Sequence, residues 1–152
     1  MIDNFPTSGS ATHRPLRAKV LVVGLGCRQD CEAAHLRELI DGALAEHGLD
    51  IQRIDALAST TAKAEEPGLL ELARQLGLPL VLMPPAQLAP FDAQLTHRSA
   101  LAFARTGCHG VAEGAALAAA SQLAGGGARL LIPRRKSRLA TFALALAGPG
   151  NG

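Results

Sequence analysis

KVLVVGLGCR, residues 19 to 28, opens with the apolar run Lys19 to Gly24 and closes on two glycines, a cysteine and an arginine. A continuous β-branched run ended by glycine predicts a strand covered on both faces, because a half-exposed strand would alternate apolar and polar residues. The glycines after it predict a tight strand-to-helix turn. From Asp30 to His47 the apolar positions Ala33, Leu36, Leu39, Ile40, Ala43 and Leu44 recur at intervals of three and four, with Gly48 beyond, so an amphipathic helix follows the turn. Strand, glycine turn and helix in that order start a βα unit.

Outward from this unit the pattern repeats. Ile51 to Ala58 alternates imperfectly and predicts a second strand; Leu69, Leu72, Ala73 and Leu76 mark one face of a second helix; Leu80 to Met83 predicts a third strand behind Gly77 and Pro79. Pro84 to Asp92 holds three prolines and predicts an irregular connection. His97 to Thr106 and the alanine-rich Val111 to Leu123 predict two more helices, the second buried. Gly125 to Gly127 end it. Arg129 to Ile132 and Leu139 to Ala147 then predict a hairpin around the basic turn Pro133 to Arg138. The expected architecture is α/β, three layers α/β/α, with a mostly parallel, mixed sheet and a C-terminal hairpin. Residues 19 to 148 are expected to form one domain, and residues 1 to 18, polar and without period, a flexible leader.

Composition removes several function classes. Aromatic residues are 3% and the formal charge is only +2, which does not describe the basic, aromatic-bearing face of a nucleic-acid binder. The longest apolar runs fall short of the roughly 20 residues that span a bilayer, and the N-terminus lacks a secretory pattern, so a membrane role is not expected and the expected compartment is the cytoplasm. Cys27, Cys31 and Cys108 form an odd set with no repeated spacing, which argues against a disulfide framework and a zinc site; no metal is expected. Cys27 and Cys31, four apart, can be read as a thiol pair or as small core residues. A dinucleotide fingerprint fails at Gln29, where its third glycine belongs, and GxxxxGK[ST] is absent, so no cofactor is expected.

Four segments carry candidate chemistry. Gly24, Gly26, Cys27 and Arg28 form either a bare turn or a backbone approach for an anion, with Arg28 offering a donor fork to a carboxylate or forming a surface ion pair. Ser59 to Glu66 follows the second strand and would bring Lys63 and Glu66 to the same sheet end; it reads equally as a capping segment for the next helix. Ser99 to Glu113 contains Ser99, Gly107 and Glu113, without GxSxG and without triad spacing; Glu113 near a helix start complements the dipole or contacts a ligand. Arg134 to Arg138 is either a solvated hairpin tip or a polycarboxylate contact, with Lys136 the preferred member.

The ordered set GLGCR, KAEEPGLLELARQLGLPL, a serine, GCHGVAEGAAL, a basic turn and LATFALA resembles the CobE and CbiG C-terminal domain family of cobalamin (vitamin B12) biosynthesis proteins, over residues 19 to 147. The resemblance implies a place in that pathway, where CbiG opens a lactone on a cobalt-containing macrocycle and releases acetaldehyde; the chain is similar to the single-domain, CobE-like form. It also implies a ligand-binding set of Gly24, Gly26, Cys27, Arg28, Lys63, Glu66, Ser99, Gly107, Glu113, Lys136 and Thr141. Gly114, where relatives often carry another small residue or proline, is a departure that bears on how Glu113 is oriented. The expected function is binding of a polycarboxylate corrin or precorrin intermediate, as a carrier or accessory to other pathway enzymes. The alternatives are a hydrolase or isomerase using Glu113 or Glu66 as acid or base with Ser99 or water attacking, and a scaffold without a ligand.

Overall fold

The structure is a computed structural model that describes residues 19–106 and 110–148. The leader and Gly107 lie outside the described residues. Five strands form one sheet: β1 (Val20–Cys27), β2 (Ala56–Thr60), β3 (Leu80–Met83), β4 (Arg129–Lys136) and β5 (Ala140–Ala147), in the order β3-β2-β1-β5-β4. β1 pairs in parallel with β2, and β2 with β3; β5 runs antiparallel to both β1 and β4. The sheet is therefore mixed: β5 alone runs against the other four strands, as expected of a terminal hairpin that adds one antiparallel strand.

The expected coverage of β1 on both faces follows from its alternation. Leu21, Val23 and Leu25 pack with Leu36, Ile40 and Leu44 of α1 (Ala33–Glu46) and with Leu69 and Leu72 of α2 (Pro67–Leu76). Val22 packs on the other face, with Ala56 and Ala58, against the alanines of α5 (Val111–Ala124). The two crossovers β1-α1-β2 and β2-α2-β3 step the sheet in one direction with their helices on one face; the chain then returns over the other face and adds β5 beside β1. β1 is the point where strand order reverses.

α5 is buried nearly all round because it must lie close to the sheet. At Gly24 a Cβ would stand 1.9 Å from the Ala112 carbonyl oxygen and 2.9 Å from the Ala116 Cβ. Only a glycine opposite alanines permits that approach. Gly114 sits inside α5, against the Leu88 side chain, and leaves the helix start at Val111.

Four expectations change in detail. Ile51 to Ala58 divides into a 3-10 turn, Ile51–Arg53, capped by the Asp50 side chain accepting from Gln52, and the strand Ala56–Thr60. The proline-rich connection contains α3 (Pro85–Leu88) and a 3-10 segment, Ala89–Gln94, because its prolines occupy first-turn positions that need no N–H. The helix expected from His97 begins at Ala100 as α4 (Ala100–Thr106), since the Thr96 and His97 N–H groups bond elsewhere. The basic turn is mostly strand: β4 runs to Lys136, with register shifts between Leu130 and Ile132 and between Ile132 and Arg135. β4 is an edge strand, so Pro133 and the bulges cost no ladder partner there and discourage pairing with another chain.

The Gly24 contact sets an expectation. Gly24→Ala lowers stability by about 3 kcal/mol, since backbone rather than a flexible side chain must move, whereas Gly114→Ala changes it by about 1 kcal/mol or less. Urea midpoints of the two variants check this; equal midpoints would contradict the packing argument.

Candidate functional site

The carboxyl ends of β1 and β2 meet the N-terminus of α5, the end of β4 and the start of β5. In an open sheet this rim, at the strand where order reverses, is where a crevice forms. The register assembles it: Gly26 lies opposite Thr141, Cys27 opposite Ala140, and Lys136 opposite Thr141. A Cβ on Gly26 would stand 2.8 Å from Thr141 Oγ1 and 3.5 Å from the Val111 Cβ, and the Thr141 hydroxyl donates to the Gly26 carbonyl at 3.5 Å. Arg28 is fixed at the strand end by its N–H, which donates to the Leu139 carbonyl at 2.8 Å. Lys63 closes the 3-10 turn Thr61–Lys63 directly after β2.

Three cations of the expected set thus stand at one sheet end. Arg28 and Lys136 are exposed and Lys63 half-buried, and among the described residues none of them has an ion-pair partner. Elsewhere Arg135 pairs with Glu46, Arg74 with Glu71, Arg37 with Asp41 and Arg98 with Asp92. The alternation of β4 separates its cations: Lys136 lies at the rim while neighbouring Arg135 reaches α1.

The segments GLGCR and KAEEPG are joined. Asp30, in the left-handed region at φ 65, donates its N–H to the buried Glu66 carboxylate at 2.7 Å. The Cys31 carbonyl oxygen lies 1.9 Å from where a Gly68 Cβ would be, so this loop is wedged against the start of α2. Glu66 therefore holds the Arg28 loop. Burial pushes the Cys27 thiol up to about 11, with Lys63 opposing and Glu66 and Cys31 adding to it. Burial raises Cys31 also. Both thiols stay protonated at neutral pH, which suits small core residues better than nucleophiles. Among the described residues no three His, Cys, Asp or Glu side chains cluster as a metal site.

Glu113, in the first turn of α5, is 1% exposed. Its Oε1 accepts the Thr96 N–H at 2.8 Å and the His97 N–H at 3.3 Å; its Oε2 accepts the Arg134 N–H at 2.9 Å and the Thr96 hydroxyl. Arg134 can donate there because it sits in the β4 bulge, outside the ladder. Burial by itself would raise the Glu113 carboxyl, but the Thr96 hydroxyl and the Arg134, Thr96 and His97 N–H groups outweigh it and hold the carboxyl below the usual carboxylate range. Four donors fill the acceptor sites of the carboxylate, so its oxygens face protein rather than the crevice.

Ser99 precedes α4, and its carbonyl accepts the Phe103 N–H at 3.0 Å. It is half-buried on the same connection as Thr96 and His97. Gly24 lies beneath α5, behind the rim. Residues absent from the sequence-based set also stand here: Thr96 and His97 around Glu113, and Thr60, whose buried hydroxyl has no hydrogen-bond partner among the described residues. No spacing marks Thr96 or His97, since they meet Glu113 across 17 and 16 residues. Thr60 ends a buried strand, and its hydroxyl there is the one signal the sequence offers.

A mixed α/β sheet with cations at the carboxyl ends of its strands defines the class, and comparison with known proteins narrows it. Residues 21–145 match the family described as Cobalamin synthesis G C-terminus. The chain is 40% identical over 125 residues to Protein CobE of a Sinorhizobium species, covering 82% of this chain and 79% of that protein. It is 34% identical over 130 residues to the cobalt-precorrin-5A hydrolase of Priestia megaterium, and there it spans only 33% of the relative. A crystal structure of CobE from the cobalamin biosynthetic pathway superposes with a TM-score of 0.82 at 45% identity, over 88% of this chain and 95% of that one. The chain belongs to the Cobalamin synthesis G C-terminus family and is a cobalamin biosynthesis protein of the CobE and CbiG kind.

The Glu113 arrangement fixes a pH dependence. Its folded value lies below its unfolded one, so the stabilisation is full above the ordinary carboxylate pKa of about 4.3 and is lost as pH falls through the folded value. Glu113→Gln removes this part of the acid sensitivity and lowers stability at neutral pH by about 3 kcal/mol, because a buried amide meets donors with a donor. Melting temperatures from pH 3 to 7 should show the wild-type and variant curves converging at the acid end; parallel curves would contradict it.

Proposed function

We propose that the rim binds a corrin-ring precursor through its peripheral carboxylates and holds it for another enzyme of the pathway, in the cytoplasm. The observation that carries this reading is the placement of Arg28, Lys63 and Lys136 at the carboxyl ends of β1, β2 and β4, with no acidic partner among the described residues. Such macrocycles are broad, apolar in ring area and fringed with carboxylates, so a binder needs separated cations around an open edge rather than a deep pocket. Arg28 supplies a two-pronged donor, and Lys63 and Lys136 supply point charges that can follow differently spaced carboxylates. Thr141 and Val111, at the α5 start, stand beside Gly26 at the same sheet end. Among the described residues no helix is long and apolar enough to cross a membrane.

A second reading, hydrolysis at the macrocycle edge, is favoured by the likeness to a cobalt-precorrin-5A hydrolase and by the hydrogen-bonded histidine taken up below. The experiment that separates the two is a titration of wild type and the Arg28→Ala, Lys63→Ala double variant with corrin-pathway intermediates, followed by the visible spectrum and by product analysis. Loss of two desolvated charge contacts should weaken binding at least about a hundredfold. Tight binding with the ligand recovered unchanged supports the carrier; a new product supports the hydrolase. Absence of binding by wild type would overturn both.

A further inference from the structure

His97 stands beside the rim with one ring nitrogen engaged. Its Nδ1 lies 2.7 Å from Thr96 Oγ1, and the Thr96 hydroxyl in turn donates to Glu113 Oε2. The direction of both bonds follows from chemistry. An ionised carboxylate only accepts, so the single hydroxyl proton of Thr96 points at Glu113. Thr96 Oγ1 is left as an acceptor, and His97 Nδ1 must carry the proton that fills it. In the neutral ring Nε2 is then the nitrogen that carries the lone pair. The His97 side chain is 47% exposed, and Nε2 has no partner among the described residues.

The placement suits chemistry at the rim. The His97 carbonyl oxygen is 3.1 Å from where a Gly110 Cβ would be, at the N-cap of α5, one residue before the Val111 that faces Gly26. Glu113 also holds the Arg134 N–H, two residues before Lys136. The imidazole is thus anchored to the same helix start and the same strand that build the crevice.

We infer that His97 Nε2 is a proton-accepting catalytic group of this rim, with Thr96 and Glu113 as the positioning residues that fix its tautomer and direction. The reaction class is transfer of an acyl group to water. Nε2 takes a proton from water as the water oxygen bonds to an ester carbonyl carbon. The tetrahedral adduct then collapses, the bond to the leaving oxygen breaks, and the proton on Nε2 passes to that oxygen. One water is consumed, and one acid and one alcohol form. A histidine oriented through Nδ1 by a buried carboxylate serves this role in unrelated hydrolases; here a threonine hydroxyl stands between the two. The natural substrate rests on the hydrolytic reading above, but the relay itself does not.

Two measurements test it on the full chain. Long-range proton–nitrogen NMR correlation reads the His97 tautomer directly: wild type and Thr96→Ser should carry the proton on Nδ1, while Thr96→Val should shift it toward Nε2, the tautomer that free imidazole side chains prefer. The second follows release of p-nitrophenolate from p-nitrophenyl acetate, a probe that needs no macrocycle binding. The rate above buffer should fall at least about tenfold in His97→Asn, fall in Thr96→Val, and stay within about twofold in Thr96→Ser. Added imidazole should restore it in His97→Gly beyond the rate that the same imidazole gives without protein. The remaining histidines are present in every variant as a constant background. A wild-type Nε2–H tautomer, or undiminished release by His97→Asn, would overturn the assignment. Failure of the corrinoid titration with these results intact would remove the binding reading and leave the relay standing.

Discussion

The close approach of α5 to β1 at Gly24 is the contact on which the rest of the molecule is built. With no side chain at Gly24 and alanines opposite, the helix backbone rests against the strand, and its first turn is carried to the carboxyl end of the sheet. A larger residue at either place would lift the helix and shift its first turn away from the sheet end. The alanine-rich composition of α5 is a consequence of its position: small side chains fill the narrow gaps among sheet, α3 and the proline-rich connection without strain.

Once the helix is there, Glu113 becomes a tie rather than an exposed acid. One carboxylate collects donors from the connection before α4 and from the bulge of β4, so three separate segments are registered against each other by four hydrogen bonds. Low dielectric strengthens such a network when every group is satisfied, and makes each missing partner expensive. On the other side of the sheet Glu66 does the same for the Arg28 loop, through Asp30. Two buried carboxylates therefore fix the loops, while the cations of the rim are left without acidic partners among the described residues. That division suits recognition of an anionic ligand: the acids are spent on architecture and the bases remain for the ligand.

The same division explains how a family can share one scaffold between a single-domain protein and a segment of a longer hydrolase. The scaffold supplies a rigid sheet end and a positioned charge pattern. In the readings proposed above, what happens to a molecule seated there would depend on a few side chains at its edge, with His97 held through Thr96 in this chain.

The local order was legible in the sequence. The apolar run at Val20, the periodic faces of α1 and α2, the alanine-rich run of α5 and the third strand at Leu80 are set by burial patterns within a few residues, and the mixed sheet between helix layers with its terminal hairpin follows from their sequence order. The cations Arg28 and Lys63 were legible as well, because each follows a predicted strand end. What the sequence left open were contacts between distant segments. Nothing in PRRKSR shows that Pro133 falls in a bulged edge strand, that Arg135 turns to Glu46 while Lys136 faces the rim, or that the Arg134 N–H is released to a carboxylate 21 residues away. Nothing near His97 shows which of its nitrogens is held. Periodicity reports which face of an element is buried; hydrogen-bond partners across a fold are chosen only when packing has brought the segments together.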